Sequence, residues 1–195
     1  MTAVRQHRMQ KILIFRLMKN TETVNRKPAQ QNLQIRPMRL TDNERVAYII
    51  RAVMPEFGCV GAGYSIEDPE VDYMYENYDK DKACFYVIVN AEDVPVGCGG
   101  IAPLAGGDGT ICELQKMYFL SEARGKGFGR KLMDLLIGEA KRLGYQHCYL
   151  ETVTRMQSAN ALYAKAGFKI LQGQMGSTGH SGCDTFYLKK IGEHG

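Results

Sequence analysis

The feature that most constrains this chain is a change of period across a short run of glycines. Residues Thr110–Leu120 read as an extended strand, Arg124-Gly125-Lys126-Gly127-Phe128-Gly129-Arg130 breaks that pattern, and apolar residues then return at helical spacing. Phe128, Leu132, Leu135, Leu136, Ala140 and Leu143 share one helical face, Lys131, Asp134, Lys141 and Arg142 fall mostly opposite, and Gly144 is a fitting stop. A strand, a tight turn and a helix start leave the first-turn N–H groups without intrahelical partners, and the macrodipole there favours an anion. The glycines allow positive φ and remove Cβ atoms that would hold a phosphate away. Arg124, Lys126, Arg130 and Lys131 add charge at the rim. A pyrophosphate suits this chemistry. Neither a P-loop (G-x-x-x-x-G-K-[ST]) nor a dinucleotide fingerprint (G-x-G-x-x-G) fits glycines that run G-x-G-x-G. Taken alone, the run also reads as a plain glycine-rich turn with solvated lysines.

The rest of the chain supplies a sheet around this unit. Leu33–Met38 alternates and leads, past a cap at Thr41-Asp42, into a helix through Val46, Ile49, Ile50 and Val53. Gly61–Lys82 is softer, carries Tyr64, Tyr73, Tyr75 and Tyr78, and allows a short helix about Pro69–Tyr78. Ala83–Val89, Val96–Leu104 and Thr110–Leu120, joined by short turns, predict an antiparallel meander. Beyond the long helix, Cys148–Thr152 reads as a strand. Thr154–Gln157 has the capping-box pattern and opens a helix carrying Ala159, Leu162, Tyr163 and Ala166. Phe168–Gln172 and Cys183–Leu188 are the last strands, separated by the glycine-rich loop Gly173–Gly182.

Composition excludes several classes. A chain of 195 residues supports one domain, and no apolar run approaches the ~18 residues of a membrane span. The net charge of +4 is uneven: residues 1–32 hold seven Lys/Arg against Glu22, so that segment is +6 and the remainder −2. The globular part therefore has no electrostatic footprint for nucleic acid. Residues 1–32 lack a secretory pattern and read as a flexible basic lead-in, or as an extension ahead of a start at Met9 or Met18. The domain is expected over 33–192. Six cysteines without C-x-x-C spacing and four scattered histidines give no metal site. Five of the cysteines fall in predicted strands and read as buried, reduced thiols, which points to a cytoplasmic protein.

Two separated motifs give the chain a family likeness. Glu113–Phe119 followed by Arg124-Gly125-Lys126-Gly127-Phe128-Gly129 resembles motif A of the GCN5-related N-acetyltransferase (GNAT) superfamily, whose Q/R-x-x-G-x-G/A element is met by Arg124, Gly127 and Gly129. Leu150-Glu151-Thr152 and Ala159–Phe168, ending Leu162-Tyr163-x-x-x-Gly167-Phe168, resemble its motif B. The resemblance covers residues 33–190. It implies an α/β fold with a mixed, mostly antiparallel sheet of six to seven strands, about four flanking helices, and fourth and fifth strands that splay around acetyl-CoA. It further implies that backbone groups of Met117, Tyr118 and Phe119 hold the pantetheine arm, and amides from Gly125 to Arg130 hold the pyrophosphate. The position of a cofactor-contacting Asn in the family is Met156 here, with Asn160 one turn later as the remaining candidate. Dimers are common in the family, so a homodimer is compatible with it.

Amide formation needs a neutral amine, and an alkyl amine of pKa ~10.4 is neutral in only about one molecule in a few thousand at pH 7. Glu113, on the strand entering the turn, is the candidate base, although the same pattern fits a solvated strand carboxylate. Tyr163 occupies the position that in the family protonates the departing thiolate; otherwise it is a packed ring bonded to backbone. Glu151 is a reserve base that reads as facing away from the cleft, and His180 is a loop histidine within reach of an acceptor. The expected activity is acetyl transfer from acetyl-CoA to a primary amine of a small molecule, with acceptor contacts from Tyr64–Tyr78 and Gly173–Gly182. A protein acetyltransferase and a non-catalytic CoA sensor are the alternatives.

Overall fold

A computed structural model describes residues 32–192; the reading of residues 1–31 as a flexible segment lies outside the described residues. Among the described residues seven strands form one sheet in the order β1-β2-β3-β4-β5-β7-β6. Strands β1 (Gln34–Pro37), β2 (Cys84–Val89), β3 (Pro95–Pro103) and β4 (Ile111–Phe119) make the expected antiparallel meander. Strand β5 (His147–Thr152) runs parallel to β4, while β6 (Lys169–Leu171) and β7 (Thr185–Lys190) complete an antiparallel second half. Four α-helices accompany the sheet among the described residues: α1 (Asn43–Val53), α2 (Met74–Tyr78), α3 (Phe128–Arg142) and α4 (Gln157–Lys165).

Both faces of the meander are covered, which explains strands that are apolar almost throughout. Val87, Cys98 and Ala102 face a cluster built by Val46, Ile49 and Ile50 of α1 with Met74 of α2. Ile88, Ile101, Cys112 and Leu114 face Leu132, Met133 and Leu136 of α3. Gly99 makes the second contact close: a Cβ there would meet Leu132 and Met117 at 3.2 Å. The six cysteines are free. Four of them lie in strands rather than five, because β7 begins at Thr185, beyond Cys183.

Two local expectations give way to tertiary contacts. The Thr154 hydroxyl, expected to cap α4, instead meets Asp184 at 3.1 Å and Thr185 at 3.0 Å, and α4 starts at Gln157 behind Met156, an N-cap that makes no side-chain hydrogen bond. Asp42 likewise turns back to the Arg39 amide (2.8 Å) and the Arg36 guanidinium (2.7 and 3.0 Å).

The site is set by the way β4 leaves β5. The two strands pair only over Ile111–Glu113 with His147–Tyr149. Beyond this, β4 carries a bulge against β3, where the register jumps between Cys98 and Gly100. Lys116 sits in the bulge at φ +53, a left-handed value that is costly for a β-bulge residue with a side chain. The bulge bends Met117–Phe119 away from β5, so that edge of β4 has no strand opposite. The splay expected between strands four and five is present.

Candidate active site

An open cleft occupies the gap. Glu113–Tyr118 of β4 line one wall, and Glu151, Thr152 and Val153 line the other. Met156, Ala159, Tyr163, Cys59, Tyr64, Ser65, His180 and Cys183 complete its lining. Glu113, Glu151 and His180 all face this cavity. The solvated reading of Glu113 is wrong, since it is 3% exposed, and Glu151 faces the cleft rather than away from it.

Glu113 is an unusual carboxyl. Burial pushes its pKa up to about 7; a hydrogen bond from Gln115 Nε2 (2.6 Å) opposes that, and the Glu151 carboxylate adds to it. The Gln115 amide is oriented in turn by the Tyr78 hydroxyl, which donates to Oε1 at 2.5 Å. The three form a chain with one polarity, Tyr78 to Gln115 to Glu113. A donor held on Glu113 by a fixed amide leaves the other carboxyl oxygen available to the cavity.

A second polar group lies beside it. Lys116 Nζ, almost fully buried, pairs with Asp68 and lies 3.6 Å from Glu70. Asp68 Oδ2 also meets His180 Nε2 at 3.0 Å. Burial works against the Asp68 carboxylate, but the His180 hydrogen bond and the Lys116 charge keep its pKa below the ordinary value. The Asp68 hydrogen bond raises His180 above the ordinary histidine value. Thus Asp68 ties the β4 bulge to the loop before β7.

Tyr163 is 6% exposed, with its ring against Phe168 (centroids 6.0 Å apart) and Tyr187 (5.8 Å). Its hydroxyl makes no hydrogen bond to the described residues, yet no fully buried polar side-chain atom among them lacks a partner. The hydroxyl therefore opens onto the cavity that the residue lines. Burial raises its pKa, so the group holds its proton.

The glycine turn is formed as its sequence suggests. Gly125 and Gly127 adopt φ +70 and +79, and a Cβ at either would meet nothing within 4 Å. These glycines are required by conformation, not by crowding within the protein. The amides of Gly127, Phe128, Gly129 and Arg130 take no partner among the described residues, and Gly127 caps α3 in the left-handed region. The cationic rim is more fully paired than the sequence suggests. Arg124 grips Glu56 through both terminal nitrogens (2.7 and 2.9 Å) and donates from Nε to Phe119 O (2.6 Å). Arg130 pairs with Asp134, and Lys131 lies 4.7 Å above the Phe128 ring. Arg124 is thus a brace between β4 and the turn. Asn160 is used inside the fold as well. Its Nδ2 donates to Val153 O and Met156 O (both 3.0 Å), and its Oδ1 accepts from Tyr187 Oη (3.0 Å). Met156, at the position expected for a cofactor-contacting Asn, does line the cavity.

Sequence reasoning gave no role to Gln115 and Lys116, and reached Asp68 and Tyr78 only as part of the stretch Tyr64–Tyr78 expected to contact an acceptor. Gln115 and Lys116 lie inside a strand pattern that gives no hint of a bulge. Asp68 and Tyr78 act across 48 and 37 residues of chain, beyond the reach of any local signal.

The sequence model of the Acetyltransferase (GNAT) family matches residues 44–168. The uncharacterized N-acetyltransferase YjgM of Escherichia coli K12 is 40% identical over 164 residues, covering 84% of this chain and 98% of that protein. The IAA acetyltransferase of Azospirillum brasilense is 34% identical over 84 residues, covering 43% and 53%. Among solved structures, an acetyltransferase of the GNAT family from Staphylococcus aureus Mu50 superposes with a TM-score of 0.72 at 23% identity, covering 82% of this chain and 99% of that one. The Salmonella typhimurium protein yncA, a putative acetyltransferase solved with acetyl-CoA, superposes at 0.67 with 24% identity, covering 84% and 96%. With a family match over well over half its length and a full-length relative at 40% identity, this chain belongs to the acetyltransferase (GNAT) family.

Proposed function

We propose that this chain transfers the acetyl group of acetyl-CoA to a primary amine of a small molecule, by direct attack within one cleft. The observation that carries the reading is the meeting, in one gap between β4 and β5, of a buried carboxyl near neutrality and a protonated phenol, next to open amides at the start of α3. Four neighbouring N–H groups at a helix start suit the two negative charges of a pyrophosphate. The edge of Met117–Phe119 that turns away from β5 suits the amide-bearing pantetheine arm.

The chemistry follows from the two acids. The acceptor arrives as an ammonium, and Glu113, with a pKa of about 7, takes its proton near neutral pH. That transfer is uphill by about 4–5 kcal/mol for an alkyl ammonium of pKa ~10.4, and it is drawn forward by attack of the neutral amine and loss of the proton to solvent. The amine nitrogen bonds to the thioester carbon, and the carbon–sulfur bond breaks as the carbonyl re-forms. The thiolate, whose conjugate acid has a pKa of ~8.5, takes the Tyr163 proton as it leaves. Nitrogen loses two protons in all: the ammonium proton passes through Glu113 to solvent, and the second, shed as the amide forms, balances the one gained at sulfur and restores the Tyr163 phenol.

The part of the cleft beside His180 favours a small acceptor. The Gly182 amide donates to Gly63 O at 2.9 Å, and His180 meets Asp68, so two chain segments meet across it. A polypeptide acceptor needs an open groove there. Purified protein, acetyl-CoA and a panel of amines test the reading by thiol release. Release with small amines supports it, label entering protein alone favours a protein acetyltransferase, and CoA binding without release favours a sensor.

A further inference from the structure

The loop joining β6 to β7 is held to the cleft by two carboxylates, Asp68 at His180 and Glu151 of β5 at Gln174 and Thr178. Glu151 Oε1 accepts from the Thr178 hydroxyl at 2.8 Å and from Gln174 Nε2 at 3.1 Å, and Oε2 lies 3.1 Å from the same nitrogen. Tyr149 Oη donates to Glu151 Oε1 at 2.9 Å and itself accepts the Met175 amide at 3.0 Å. The Thr178 hydroxyl also accepts from Gln174 Nε2 (2.8 Å) and from the His180 amide (3.4 Å). Three donors on one carboxylate exhaust most of its acceptor capacity. A carboxylate so occupied is well placed to hold a loop.

We infer that Glu151 is a positioning residue that fixes residues 174–180 as the acceptor wall, so that His180 faces the amine. This rests on the acetyltransferase reading above. His180 Nε2 is committed to Asp68, while Nδ1 has no partner among the described residues and is the ring nitrogen open to an acceptor group. The acceptor class this selects carries, near its amine, a hydroxyl or carbonyl able to bond an imidazole. With the Glu151 contacts removed, residues 174–178 loosen and that contact weakens, although Asp68 still holds the His180 ring and Ala105 O the Ser177 amide, whereas the acetyl-CoA half of the cleft, built by β4 and α3, is untouched.

The test compares Glu151→Ala, Thr178→Val and Thr178→Ser in the full chain. Amide hydrogen exchange at Met175 and His180 should quicken by roughly tenfold in Glu151→Ala and Thr178→Val, about the loss of one net hydrogen bond, and recover in Thr178→Ser. With an amine that the wild type acetylates, KM for the amine should rise by roughly tenfold in the first two variants, with KM for acetyl-CoA unchanged. Unaltered exchange in Glu151→Ala overturns the inference. So does a collapse of kcat at constant amine KM, which would make Glu151 the base. If the wild type acetylates no amine, the acetyltransferase reading fails, and the exchange measurement alone still decides whether Glu151 holds the loop.

Discussion

Replacing Glu113 by Gln should make the protein more stable and less active, by an amount that depends on pH. The carboxyl titrates at about 7 in the fold against an ordinary 4.5. A group whose folded value is raised leaves stability intact below the unfolded pKa and removes it as pH rises through the folded one. At about 1.4 kcal/mol per pH unit, the ionised carboxylate costs the fold about 3 kcal/mol at pH 8 and about 1 kcal/mol at pH 5. The glutamine is isosteric, and its oxygen can still accept the Gln115 hydrogen bond, so the variant sheds this cost without opening a cavity. For a chain of this size, Tm should rise roughly 6–12 °C at pH 8 and roughly 2–4 °C at pH 5. Thermal unfolding of both proteins at the two pH values reads the difference, and amine acetylation by the variant should fall steeply. A Tm difference that does not grow between pH 5 and pH 8 would refute the claim that burial raises the Glu113 pKa more than its neighbours lower it.

Other substitutions separate the remaining parts. Tyr163→Phe should lower kcat while CoA affinity stays within about twofold; steady-state kinetics with calorimetry checks it, and unchanged turnover removes the phenol from the mechanism. Gln115→Leu removes the hydrogen bond that holds the Glu113 pKa down, so the acidic limb of kcat/KM should move up by roughly one pH unit. A pH profile that does not shift would mean that another group is the base.

Much of the architecture was legible because it follows from short-range pattern. The period change at Phe128, the three β-rich runs and the glycine turn each lie within a dozen residues, and the two motifs named the family that the comparisons support. The splay of β4 from β5 came with the resemblance rather than from the residues. Its local cause, a bulge at Lys116, is invisible in Glu-Leu-Gln-Lys-Met, which reads as an uninterrupted strand. Side-chain roles were less legible where a residue had distant suitors. Arg124 sits in a basic run and reads as a phosphate ligand, but Glu56, 68 residues earlier, claims its guanidinium. Thr154 precedes a helix and reads as its cap, but Asp184 and Thr185 reach it first. The environment of Glu113 also depended on a long-range fact, since only the pairing of β4 with β5 turns that face inward.

The central claim is that the open amides from Gly127 to Arg130 grip a pyrophosphate. Titration calorimetry with CoA and with pantetheine, on the wild type and on Gly127→Glu, tests it most directly. Gly127 has φ +79 and room for a Cβ, so a side chain there costs about 1–2 kcal/mol in backbone strain and sets a carboxylate among the amides. The account predicts heat with CoA on the wild type, at least about a hundredfold weaker binding of pantetheine, and no detectable CoA binding by a folded Gly127→Glu. Equal affinity for CoA and pantetheine, or a Gly127→Glu protein that binds CoA like the wild type, would contradict it.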